Sequence, residues 1–186
     1  IAKFGQWVPL LLTPAIGMFV VWATNRYVPG SQGSGIPQVI AAAKIAAVDA
    51  DVGKLVSLRI AVGKVVLGSL ALVGGFSAGR EGPSVQVGAS ILSSAHRLVP
   101  HSRLIRRSDL IIAGGAAGIA AAFNTPLAGI VFAVEELGRR LETRTSGIVL
   151  STIIVAGLVS IALQGNYNYF GNLTVGSIGL PVVLPL

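Results

Sequence analysis

Long apolar segments broken by short runs of glycine and proline constrain this chain more than any other feature. Trp7–Val28, Leu55–Phe76 and Ser146–Leu163 are each apolar enough and long enough to be read as spans, since roughly 20 residues cross the hydrocarbon core. Charged residues make up only 11% of the chain and hydrophobic ones 53%. A soluble domain carries roughly 25% charged residues, so too little polar surface remains here to meet water on every side. Lipid is the expected solvent. No strand alternation persists along the sequence, which predicts an all-α membrane protein. The net charge of +7 does not point to nucleic acid, because the basic residues are scattered or flank apolar runs. Their two clusters, Arg103/Arg106/Arg107 and Arg139/Arg140/Arg144, read as cytoplasmic loops. Two full crossings between them would need about forty residues, so the intervening segment must dip in and return, or one cluster breaks the rule. Arg139–Arg144 is the cluster expected inside.

The other apolar segments are too short to span. About Gln38–Val48, Ser84–Leu98 and Leu110–Phe123, and the short run ending at Leu137, are expected as helices. Their breaks are Gly33-Ser34-Gly35-Ile36-Pro37, Gly79-Arg80-Glu81-Gly82-Pro83 and Asn124-Thr125-Pro126. Each offers a proline where a helix begins, a position at which its missing N–H costs nothing. Irregular backbone at membrane depth survives only where protein buries it or a watery cavity meets it, and broken helices are how many transporters hold ions. Ordinary interfacial loops are the plainer alternative. Gly114-Gly115-Ala116-Ala117-Gly118 and the glycines between Gly63 and Gly75 are read as close helix packing. No secretory signal peptide is evident, and the Leu180–Leu186 end reads as a cut within a longer chain.

Three enzyme-like patterns fail on context. Gly75-Phe76-Ser77-Ala78-Gly79 fits a nucleophile elbow, but an apolar, helix-like segment rather than a strand precedes it, and His96 and His101 sit in a basic loop with no acid but Glu81 between Ser77 and His96. Gly74–Arg80 resembles a phosphate loop, yet Arg80-Glu81 stands where Lys-Ser/Thr is needed. Gly33-Ser34-Gly35 lacks the third glycine of a dinucleotide fingerprint. With no cysteine, thiolate metal sites are excluded. No enzyme activity, metal or cofactor is expected.

The informative residues are acids among apolar neighbours. Glu81 lies in a break that opens a helix, where free N–H groups and about half a positive charge favour an anion. Its own carboxylate can fill that place, and protonation would release it to another anion. The plainer role is a capping acid paired with Arg80. Glu135 and Glu136 close the apolar run Leu127–Val134, and adjacent helical residues point about 100° apart, so only one can face inward. Glu135–Arg139 and Glu136–Arg140 also have surface-pair spacing, worth about a few tenths of a kcal/mol each.

Taken together, Gly33–Pro37, Gly79–Pro83 and Ala121–Gly129 running into Glu135-Glu136 resemble the CLC chloride channel and transporter family, in order and spacing. The resemblance covers about Leu10–Leu163. It implies a bundle of tilted, broken and re-entrant helices, the first of two inverted repeats, with residues 1–186 as one transmembrane region forming the N-terminal half. It implies that Ser34, with the backbone of Gly33, Gly35, Ile36, Arg80 and Gly82, binds chloride. Glu81 would be the gate and Glu136 the inner proton-transfer residue. Proton/chloride antiport is therefore expected over a passive voltage- or pH-gated channel, and a structural subunit without transport is a third possibility. The implied partners are chloride, protons, membrane lipid, a second copy in a homodimer and the C-terminal half. The implied setting is multi-pass, in a bacterial-type inner cell membrane. Tyr167 and Tyr169 do not replace the pore tyrosine of the family's second half.

Overall fold

Asparagine and proline end the longest buried helix where the sequence sets them. Pro126 disfavours helical backbone at Thr125, which is extended at φ −135° and ψ 111°. Asn124 before it turns left-handed at φ 56° and caps the helix, as a short polar side chain can. The computed structural model describes residues 8–48, 50–96, 105–137 and 143–165.

Seven α-helices run in order through the described residues, with no strand among them. They are α1 (Val8–Tyr27), α2 (Ile36–Ala46), α3 (Leu58–Val73), α4 (Glu81–Ala95), α5 (Arg107–Phe123), α6 (Pro126–Phe132) and α7 (Thr143–Gln164). A 3₁₀ turn, Pro29–Ser31, precedes α2, and a π turn, Ala133–Leu137, extends α6. The all-α expectation holds.

The most extensive helix contact joins α4 and α5. A Cβ on Gly114 would stand 2.7 Å from the Gly88 carbonyl carbon, and one on Gly118 would stand 2.7 Å from that of Ser84. As one helix advances the other retreats, so the pair is antiparallel, and glycine lets their backbones touch. α5 is the hub: α2, α4, α6 and α7 all pack on it. The buried core is made largely of alanine and valine, from Val39, Ala42 and Ala43 through Val85 and Ala89 to Ala116 and Ala120. α1 and α3 form a second antiparallel pair, with Ile16 against Gly74 and Val28 against Gly63.

The outward faces are apolar. Leu11, Met18 and Trp22 on α1, Val62 and Val66 on α3, and Ile154, Val155 and Leu158 on α7 are all exposed. Water would not tolerate so much uncovered hydrocarbon. Within α7, Gly147–Gln164 has a mean hydropathy of 2.2 and is the one described segment both long and apolar enough to cross a membrane. The expected span Leu55–Phe76 is shorter, because the Ser57 hydroxyl accepts from the Ile60 N–H and starts α3 there. Its 16 residues reach about 24 Å, less than the hydrocarbon thickness.

Helix starts also differ from the sequence reading. α4 begins at Glu81, three residues before the expected Ser84, so Pro83 sits within its first turn. Pro37 and Pro126 do open α2 and α6.

The glycine seam yields a direct test. Gly114→Val should destabilise the protein by about 1–3 kcal/mol or prevent folding. Gly147→Ala, with open space around it, should leave thermal unfolding in detergent unchanged or slightly raised.

Candidate functional site

Two helix starts meet because neither brings a side chain to the meeting point. Gly35, the residue before α2, has φ 109°, and Gly33 has φ 66°, conformations that glycine adopts without strain. A Cβ on Gly35 would stand 2.7 Å from the Gly82 carbonyl oxygen, and one on Gly82 would collide with the Ser34 hydroxyl. The first turn of α4 therefore lies directly on the Ser34-Gly35 backbone. Helix N-termini present free N–H groups and partial positive charge, and here two of them share one spot.

A cavity of about 640 Å³ opens at this spot between α1, α2, α3 and α4. Gly33, Ser34, Ile36, Glu81 and Gly82 all line it. Ser34 is exposed into it and Glu81 is half-buried, with its carboxylate curled back over Gly79. Two of the sequence-derived candidates are placed elsewhere. Gly35 is buried behind the cavity against Gln86. The Arg80 guanidinium donates to the Ala122 carbonyl at 3.4 Å and lines a separate cavity of about 490 Å³ with α5 residues.

The loop entering α2 has an arrangement that the sequence did not announce. Lys64 is buried on α3, and its Nζ donates to the carbonyls of Ser31 (2.8 Å) and Gly33 (2.6 Å). Gln86, fully buried on α4, donates from Nε2 to Gly30 O at 2.8 Å and Leu55 O at 3.0 Å. Gln38 Nε2 donates to Gln32 O. Every carbonyl from Gly30 to Gly33 is thus held by a side-chain donor. The signal for Lys64 was available, since a lone ionisable residue within an apolar segment generally has a task. Its ammonium also brings positive charge to the cavity wall.

Glu135 is exposed and falls within the π turn Ala133–Leu137. The pairs of Glu135 with Arg139 and of Glu136 with Arg140 fall outside the described side chains. The Glu136 side chain, Arg139, Arg140, His101, Tyr167 and Tyr169 lie outside the described side chains, as does most of the basic loop Arg97–Arg107. His96 caps the end of α4, away from the cavity. Among the described residues no group of His, Cys, Asp or Glu could hold a metal ion.

The sequence matches the voltage gated chloride channel family over residues 16–186. The chain belongs to that family. It is an integral membrane protein, and the function of the family is to transport chloride across the membrane, which agrees with the cavity's position at two helix starts and with the apolar outer faces.

Two substitutions test the geometry. Gly82→Ala should part α4 from Ser34 and lower stability by about 1–3 kcal/mol, read by thermal unfolding. Lys64→Met leaves two carbonyls without their donor and should lower stability by about 2–3 kcal/mol, read by thermal unfolding.

Proposed function

We propose that this chain supplies half of a proton/chloride antiport pathway, in which chloride and the Glu81 carboxylate compete for the place where α2 and α4 begin. The single observation that supports this is the shared cavity, lined by Ser34, Glu81 and Gly82 beside the contact between the two helix starts. Chloride would be held there by the Ser34 hydroxyl and the backbone amides around Gly33, Ile36 and Gly82, with Gly35 behind them permitting the close approach. Arg80 contributes backbone rather than its side chain.

The ionised Glu81 carboxylate is an anion tethered next to the same donors. While charged it excludes chloride, and once protonated it loses its electrostatic attraction and the place opens. Proton uptake by Glu81 is thereby coupled to chloride entry at Ser34, and the two ions cross the membrane in opposite directions. Glu136, through the family pattern, is the residue that passes protons to the inner solution.

Energetics argue for further donors from a second half. An idealised buried ion loses on the order of 20 kcal/mol of hydration, whereas one helix end returns at most about 2 kcal/mol. Two helix starts and a hydroxyl leave a deficit, which partial hydration and an inverted C-terminal repeat would offset. On this reading residues 1–186 form one multi-pass transmembrane region. A second copy would pack through the α6–α7 side, and the setting is a lipid bilayer of the bacterial inner-membrane kind.

A passive channel is the second reading, favoured by the family description itself. Paired flux measurements in liposomes with the intact protein separate the two. Antiport predicts that chloride efflux drives proton uptake, that Glu81→Ala retains chloride flux while proton flux falls at least about tenfold, and that Glu136→Gln does likewise. Chloride flux without protons in the unaltered protein would favour the channel. Proton coupling that persists in Glu81→Ala would remove Glu81 from the gate.

A further inference from the structure

We propose that Gln86 is a positioning residue for the anion site at Ser34; the proposal rests on the reading of that site given above. Gln86 lies one helical turn beyond Gly82, on the same face of α4. It is 0% exposed. Its Nε2 donates to Gly30 O in the turn before α2 and to Leu55 O in the turn before α3. Its Cβ and Oε1 lie 2.9 Å and 3.1 Å from where a Gly35 Cβ would stand. One side chain therefore touches the loop that enters α2, the residue preceding that helix and the approach to α3.

Packing alone does not account for a glutamine at this place. Its Oε1 is enclosed and has no hydrogen-bond partner, and a buried acceptor left unpaired lowers stability. A methionine would fill nearly the same volume without that penalty. What an apolar side chain lacks is the pair of donors aimed at carbonyl oxygens.

The donors matter because of what the loop must present. A peptide group offers an anion either its attractive N–H or its repulsive oxygen, according to which way the plane is turned. Lys64 holds the Ser31 and Gly33 oxygens, Gln38 holds that of Gln32, and Gln86 holds that of Gly30, the first in the series. With that first plane fixed, each oxygen from Gly30 to Gly33 is engaged by a side-chain donor, and Ser34 follows them at the cavity. Gln86 acts on chloride through the loop, without touching it.

The test is the chloride dependence of flux through the intact protein in liposomes. Gln86→Met removes both donors while keeping length and volume. The chloride concentration for half-maximal flux should rise about tenfold, with maximal flux per folded protein within about threefold of the original. Gln86→Asn keeps the amide but draws it back by one methylene, and should give a smaller rise in the same direction. A half-saturation unchanged in both variants, with only maximal flux or folded yield reduced, would mark Gln86 as structural and overturn the proposal. If Gln86→Met fails to fold, Gln86→Asn decides by the same criterion. Ser34→Ala distinguishes the two levels of the argument. If it raises half-saturation and Gln86→Met does not, only the Gln86 proposal falls; if it changes nothing, the site reading falls with it.

Discussion

The backbone contact between Ser34-Gly35 and Gly82 is what the rest of this structure depends on. Two residues without a Cβ let the start of α4 lie against the residues that precede α2. Any side chain at either position would separate them, because it would meet the Gly82 carbonyl and the buried Gln86 at Gly35, or the Ser34 hydroxyl and backbone at Gly82. Two helix starts thereby border one cavity, and Ser34 and Glu81 line it with them. Partial charges at helix ends act within about one turn, so their convergence matters more than either dipole alone.

That contact needs α4 to be held from behind. The Gly88–Gly114 and Ser84–Gly118 approaches clamp α4 to α5, and α2 packs against both. The other end of α5 is fixed by Asn124, whose side-chain amide donates to Gly165 O at 3.1 Å, and by Ser160, whose hydroxyl donates to Ala121 O at 3.2 Å. The site is therefore mounted on helices whose spacing is set by absent side chains. In lipid, where apolar surface gives no drive for helices to associate, such close approach and internal hydrogen bonding supply the adhesion. The large residues are turned outward instead, on α1, α3 and α7.

Much of this was legible in the sequence because glycine, proline and asparagine act locally. Pro37 and Pro126 mark helix starts by fixing φ, and Asn124 marks a helix end because it tolerates a left-handed turn. The small residues Gly114–Gly118 were readable as packing for the same local reason. Neither Lys64, whose charge amid apolar residues was a signal, nor Gln86 was singled out, since the partners that give them a role lie 31 to 56 residues away. Seen along the chain, each is one polar residue in a helix. The Ser57 cap that shortens α3 is local, yet a serine amid apolar residues has many roles. The π turn at Ala133–Leu137, which contains Glu135, left no mark in composition.

Whether an anion occupies the meeting point of α2 and α4 can be observed directly. Anomalous diffraction from crystals of the intact protein grown in bromide, with Glu81→Gln to mimic the protonated carboxyl, would place the halide. A peak within hydrogen-bond reach of the Ser34 hydroxyl and of the amides at the start of α2 or α4 is the predicted result. Bromide bound elsewhere in the transmembrane region, with none at Ser34, would contradict the account.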